Sequence, residues 1–382
     1  MKTLYLFNPE NDMALASGSP YYMAPASARK MASDLATLPA WYAGKGGAVL
    51  LGDVRQEKWM GDECRWLLEV EWTLGVSSEY GRVMPWGWNP ALLRQLHEEG
   101  VQNLLSDFRM DAIRTLSGRK KAVELLARLK MEGTMGESFW VASVDDVAQI
   151  SSLYNKVLLK APWSGSGKGI QPLCGELDDN LRGWVRRVIK VQGGVVVEPY
   201  YNKVEDFAME FLASSEGVTF AGYSFFEADA RGIYKENWLA SDEAIENRLS
   251  MYVSGEVLGE VRERLLHELP LLLGDAYQGY LGVDMMIVRT EDGYAVHPCV
   301  EINLRMNMGV VSRLFFDRYV CSEFCGRYII EYYPHEGDAL RFHEEMKREH
   351  PLCLRDGKIK EGYLSLTPVF ADTAYQIFVL VK

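Results

Sequence analysis

The sequence is short of the residues that carry most recognisable chemistry. Six cysteines are scattered over 382 residues, too sparse for a disulfide framework. Cys321 and Cys325, in CSEFC, have helical i, i+4 spacing. No second Cys/His pair lies at zinc-finger distance, so buried thiols are expected there. Of the six histidines, two fall in HEEMKREH, but Lys347 stands where H-E-x-x-H needs its second histidine; a charged, solvated helix is expected. No G-x-S-x-G nucleophile elbow occurs. No apolar stretch approaches the length of a membrane span, and the apolar run in MKTLYLFNPEND is too short for a signal peptide. Positive charge is scarce as well: 41 Lys plus Arg face 53 Asp plus Glu, a net charge of −12. That balance argues against sequence-independent nucleic-acid binding, although a local basic pocket can exist on an acidic protein. The expectation is a soluble cytoplasmic protein of two or three domains, with no nucleic-acid or membrane partner.

What is present begins with a glycine-rich loop, VLLKAPWSGSGKGIQ, Val157 to Gln171. It is not a P-loop: Pro162 stands where the first glycine belongs and Gly169 where the metal-binding Ser/Thr belongs. It is not a dinucleotide fingerprint either, because Ile170 replaces the third glycine.

Around this loop the pattern falls into three stretches. TLYLF, GAVLLG and VMPWGW alternate with helical segments and predict βα units with a parallel sheet. The first strand runs into NPEND, where Asn8, Glu10, Asn11 and Asp12 occupy the exit at which α/β sheets bind ligands. That turn either contributes to an acceptor site or caps the next helix. A boundary is expected near residue 112. Beyond a helix opening at Ser117 or Gly118 come closely spaced strands, FWVAS, KVLLK, GGVVVEPYY and EDFAMEFL, then a long helix and two long strands. Residues 316–382 form a helical and β-rich extension.

The two long strands, LGVDMMIVRTEDGYAVHPCVEINLR, are the most informative part. Asp292-Gly293 predicts a two-residue type I′ turn, which pairs Glu291 with Tyr294 and sets Asp284 opposite Glu301. Alternation then places Val283, Met285, Ile287, Val296, Val300, Ile302 and Leu304 on an apolar face, with Asp284, Glu301, Asn303 and Arg305 on the other. Like charges directly opposite are destabilising. A cation between them resolves this, and an all-oxygen set of Asp284, Glu301 and Asn303 suits Mg²⁺. The plainer alternative is an exposed hairpin with a solvated polar face.

A lysine and glycine loop upstream of a D…E-x-N-x-R hairpin resembles the ATP-grasp superfamily, especially its carboxylate–amine ligases. The resemblance covers roughly residues 115–312. It implies an α/β (α+β) protein: an N-terminal parallel-sheet domain (1–112), a two-lobed ATP-grasp domain (113–315, lobes about 113–200 and 201–315) and the extension. It also implies ATP and Mg²⁺ as cofactors. Lys160 is similar to the family's phosphate lysine, and Lys120 or Lys121 to its early phosphate lysine. Ser164, Gly165, Ser166, Gly167, Lys168 and Gly169 resemble the lid over the phosphates. Glu198 would meet the adenine amino group, backbone at Pro199, Tyr200 and Tyr201 the ring edge, and either Glu205 or Asp206 the ribose. Lys235 and Asn237 resemble groups near the transferred phosphate or acceptor. Asp284, Glu301 and Asn303 coincide with the metal ligands and Arg305 with the active-site arginine. The implied activity is ligation of a small carboxylate to an amine through an acyl phosphate. A kinase of the same fold and a non-catalytic nucleotide-binding scaffold are the alternatives. A homodimer is left open.

Overall fold

Residues 2–64, 68–164, 169–228 and 234–382 are described by a computed structural model. The chain opens with a parallel sheet of β1 (Lys2–Leu6), β2 (Ala48–Leu50), β3 (Glu71–Thr73) and β4 (Tyr80–Pro85), in the order β3-β2-β1-β4. The strand order reverses at β1, so the turns leaving β1 and β4 diverge there and open a crevice at the carboxyl ends. Asn8 closes its floor, its amide nitrogen donating to the Gly87 carbonyl at 2.8 Å.

A small antiparallel sheet follows: β5 (Phe139–Val141), β6 (Lys156–Lys160), β7 (Ile170–Cys174) and β8 (Val195–Pro199), ordered β5-β8-β6-β7. Val157, Leu159, Val195 and Val197 pack with Val147 and Val185 of two covering helices. Strand alternation therefore turns Lys160 and Glu198 to the opposite face.

The third sheet has nine antiparallel strands: β9 (Lys203–Ser214), β10 (Gly217–Ala228), β11 (Tyr234–Leu239), β12 (Gly279–Arg289), β13 (Tyr294–Asn303), β14 (Gly326–Tyr332), β15 (Cys353–Arg355), β16 (Lys358–Ser365) and β17 (Tyr375–Val381). Its order is β13-β12-β9-β10-β11-β14-β17-β16-β15. The helix Gly255–Leu273 buries Leu258, Val261, Leu265, Leu269 and Leu273, a stripe at three- and four-residue spacing. That stripe packs against Phe207, Met209, Phe211, Val283 and Met285 on one sheet face. On β9 and β12 the alternation turns Asp206, Glu210 and Asp284 to the opposite face.

The α/β architecture with an N-terminal parallel sheet is as expected. The helix Asp107–Leu116 runs through residue 112, where the boundary was expected. Among the described residues no helix is long and apolar enough to cross a membrane.

Candidate active site

The β12–β13 hairpin sets Asp284 opposite Glu301, with Val283 facing Ile302 and Gly282 facing Asn303. The route to that register differs from the expected one. Arg289, not Glu291, faces Tyr294, so the connection is four residues, Thr290 to Gly293, closed by Thr290 N–H donating to the Gly293 carbonyl at 2.9 Å. Asp292 lacks the positive φ that a type I′ turn requires. The resulting slip is cancelled further along, where Met286 faces His297 but Asp284 faces Glu301. Three residues of β13 bulge opposite Met285, at Pro298, which has no N–H for the ladder. The bulge also corrects the expected apolar face: Cys299, 2% exposed, takes the core position that alternation gave to Val300.

The repulsion between the carboxylates has a visible answer. Arg119 Nη2 donates to Glu301 Oε2 at 2.8 Å, and its Nη1 donates to the Ala161 carbonyl (2.6 Å) and Ser164 Oγ (2.7 Å). The Asp284 carboxyl is pushed up to about 7, first by burial and then by Glu301. Asn303 Nδ2 donates to Asp284 Oδ2 at 2.9 Å, which works against that rise. Arg305 donates from Nη2 to Asn303 Oδ1 at 3.0 Å. It also grips Asp12 with Nε–Oδ1 and Nη2–Oδ2 contacts of 2.8 and 2.7 Å. Asp12 lies in the first turn of the helix Asn11–Ser17, whose N-cap residue Glu10 makes no side-chain capping bond. The two carboxylates are hard oxygen donors suited to Mg²⁺, while the Asn303 amide, expected as a third ligand, turns its nitrogen to Asp284 and its oxygen to Arg305. Among the described residues no group of three His, Cys, Asp or Glu side chains gathers to hold a metal unaided.

Asp206, Ala208 and Glu210 of β9 pair with Met286, Asp284 and Gly282, so Asp206 and Glu210 share the acidic face. Glu205 pairs with Ile287 on the opposite face and is held there by Arg248 Nη2 (2.8 Å) and Tyr252 Oη (2.9 Å). Of the two ribose candidates, only Asp206 faces the site. Glu210 is 1% exposed, and burial foremost pushes its carboxyl up to about 8. Asn307 Nδ2 donates to it at 2.8 Å. Two glycines make its room: a Cβ on Gly282 would lie 2.4 Å from Glu210 Oε2, and one on Gly309 would lie 2.3 Å from Oε1.

On the small sheet, Lys160 Nζ reaches Glu198 Oε1 at 2.5 Å, both side chains buried. Pro199 is buried, Tyr200 is turned out under Lys156, and the Tyr201 hydroxyl accepts from the Glu137 N–H at 2.7 Å. His297 lies edge-on to Tyr201, fully buried, and burial lowers its pKa to about 4. Ser164 and Gly169 frame the base of the glycine loop, where Ala161 N–H donates to the Gly169 carbonyl at 2.8 Å. Gly165, Ser166, Gly167 and Lys168 lie outside the described residues. Lys120 is exposed over the Trp140 ring and Lys121 pairs with Glu124; neither makes the contact with Glu301 that Arg119 makes. Lys235 is exposed, while Asn237 is buried and donates to Ser224 Oγ at 2.6 Å.

Sequence reasoning passed over Arg119 and Glu210, and named Asp12 only as one of four polar residues at the exit of the first strand. Arg119 precedes Ala122 by three residues, which puts it on the buried side of its helix. Glu210 interrupts an apolar strand. Asp12 carried no signal beyond its place at a strand exit.

No family model and no curated protein matches the sequence. Solved structures do match. The biotin carboxylase of Campylobacter jejuni in complex with β,γ-ATP is 11% identical and superposes with a TM-score of 0.54 over 100% of this chain and 87% of that one. The biotin carboxylase domain of 2-oxoglutarate carboxylase from Hydrogenobacter thermophilus, a dimer with MgADP, ADP and bicarbonate, gives 12%, 0.51, and coverage of 99% and 86%. N5-carboxyaminoimidazole synthetase from Staphylococcus aureus with ADP gives 12%, 0.50, and coverage of 100% and 93%. These are ATP-grasp enzymes, and the fold of this chain is the ATP-grasp fold.

Proposed function

We propose that the protein is an ATP-dependent ligase that joins a small carboxylate to an amine. The observation that carries this reading is the Asp284–Glu301 pair, set face to face in an ATP-grasp fold with Asn303 and Arg305 beside it. Neighbours of this fold were crystallised with ADP, MgADP or an ATP complex, which supports ATP and Mg²⁺ here. Asp284 and Glu301 would hold Mg²⁺, with Asn303 beside them, and the ion would supply charge neutralisation for the phosphates.

The chain's own groups then have distinct work. Lys160 and Arg119 offer fixed positive charge to the phosphates, each after leaving its carboxylate partner. Glu198, released from Lys160, is free to accept from the adenine amino group, with backbone at Pro199 to Tyr201 along the ring edge. Asp206 takes the ribose hydroxyls, and Ser164 to Gly169 cover the phosphates. Arg305 orients the substrate carboxylate. A carboxylate oxygen attacks the γ-phosphorus and ADP leaves, giving an acyl phosphate. The amine nitrogen attacks the carbonyl carbon, phosphate departs with the bonding pair, and the amine loses a proton. Positioning and charge neutralisation are what the protein supplies.

A screen of carboxylates for ADP release, with hydroxylamine as trap, tests the reading. The expected result is a hydroxamate, with ADP and phosphate in equal amounts. A stable phosphorylated product that hydroxylamine does not intercept would establish a kinase instead.

A further inference from the structure

We infer that Asp12 is a positioning residue for the candidate metal pair, acting through Arg305 and Asn303. The inference rests on the metal reading above and adds to it a residue from the far end of the chain.

The contacts form one directed series. Both Asp12 oxygens are engaged by the Arg305 fork, at 2.8 and 2.7 Å. A planar guanidinium held at two points cannot rotate. Its Nη1 is fixed as well, donating to the Met306 carbonyl at 3.1 Å. The remaining Nη2 hydrogen is thereby aimed at Asn303 Oδ1, 3.0 Å away. With its oxygen claimed, the Asn303 amide has one orientation left, in which Nδ2 donates to Asp284 Oδ2 at 2.9 Å. The outcome is a fixed Asp284 carboxyl, with its other oxygen directed away from Asn303. Without Asp12 the guanidinium can turn, the amide can flip, and the carboxyl loses its orientation. Outer partners of this kind tune a metal site without touching the metal.

An ordinary bridge that docks the first helix is the competing explanation. Docking already has other means. Met306 N–H donates to the Trp86 carbonyl at 2.8 Å, and Phe7, Trp86, Met306 and Val310 share one apolar cluster. Asp12 and Arg305 are also only partly exposed, at 28% and 18% of their side chains. A two-point pair so placed provides direction more than attraction.

The test is titration of Mn²⁺ into the full chain with ADP present, followed by water-proton relaxation. Asp12→Asn should bind Mn²⁺ roughly 10- to 100-fold more weakly, with metal-free ADP affinity and melting temperature close to the parent's. Asp12→Glu should recover most of the loss. Arg305→Lys keeps the charge but lacks the fork and should also bind weakly. The double variant Asp12→Asn/Arg305→Lys should bind no more weakly than Arg305→Lys alone, because the two residues act in series. Parent-like Mn²⁺ affinity in Asp12→Asn, or losses that add in the double variant, overturn the inference alone. A parent that binds no Mn²⁺ with ADP overturns the metal reading and the inference together. Should Asp12→Asn not fold, parent-like Mn²⁺ affinity in Arg305→Lys is equally decisive against it.

Discussion

Glu301 shows how one partner changes an expectation. From the hairpin alone, Glu301→Gln should relieve repulsion and stabilise the metal-free protein. Arg119, with only 5% of its side chain exposed, reverses the sign, since the substitution leaves its charge buried without a counter-ion. At neutral pH Asp284 already sheds part of the repulsion by holding a proton. We expect Glu301→Gln to abolish turnover and to lose about 1–2 kcal/mol of metal-free stability, tempered by the exposure of Glu301 itself. Urea unfolding checks this; a variant as stable as the parent would free Arg119 from the assignment. Glu210 makes a prediction in pH. Its carboxyl titrates near 8 in the folded protein against about 4.3 when unfolded. A raised folded value means stability fully present below about pH 4 and lost as pH rises towards 8. Glu210→Gln has nothing to titrate, so between pH 5 and 8 it should gain on the parent by about 1–3 kcal/mol. Parallel stability–pH curves for the two would show that Glu210 is not desolvated.

At the scale of elements, the glycines around Glu210 give a prediction against propensity. Gly309 lies in the helix Met308–Tyr319, where alanine normally gains about 1 kcal/mol. A Cβ there would meet Glu210 Oε1 at 2.3 Å and Ser224 Oγ at 2.4 Å. Gly309→Ala should therefore cost about 1–3 kcal/mol, measured by chemical unfolding; a stabilised variant would mean the cradle is loose. Elements also show what could be read without the structure. The strands at TLYLF, GAVLLG, KVLLK, VVVEPYY and EDFAMEFL and the long hairpin were legible from apolar runs and turn residues, whereas β7, β10, β11, β14 and the order of strands in the sheets were not read. From the sequence, Glu205 and Asp206 stayed open, although Glu205 shares parity with the apolar Phe207, Met209 and Phe211, which is the face it takes. The acidic pair was placed correctly through two departures that cancel, a longer turn and a bulge. Pro298 marked the bulge, but the size of a bulge depends on packing across the sheet. The contact of Arg119 with Glu301 and that of Asp12 with Arg305 were out of reach because the partners lie 182 and 293 residues apart.

Across the whole molecule, the extension is no appendage. β14 pairs with β11, so the C-terminal strands continue the nine-stranded sheet. One apolar cluster takes Phe7, Leu38 and Trp41 from the first stretch, Met306 and Phe315 from the middle, and Tyr328, Leu366 and Val379 from the last. Trp41 Nε1 donates to the Leu366 carbonyl at 2.6 Å. Such shared burial couples the regions, so tryptophan fluorescence and far-ultraviolet dichroism should report one coincident unfolding transition. Two resolved transitions would mean that the first stretch folds on its own core.

Among the described residues, three cations of the cleft are already held by carboxylates. Lys160 is held by Glu198, Arg119 by Glu301 and Lys203 by Asp206, on a chain whose net charge is −12. Such a surface has little far-reaching pull on an anionic nucleotide, whatever its affinity once these pairs have opened. Long-range steering is what makes association fast and sensitive to ionic strength. Capture of ATP should therefore be unsteered, at roughly 10⁵–10⁷ M⁻¹s⁻¹. Raising salt from about 20 to about 300 mM, which shortens the reach of charge several-fold, should leave that rate nearly unchanged in stopped-flow measurements with a fluorescent ATP analogue. A steep fall would reveal a positive field around the cleft that these paired residues do not supply. The gate to this site is then an exchange of partners, and its speed belongs to the protein and not to the encounter.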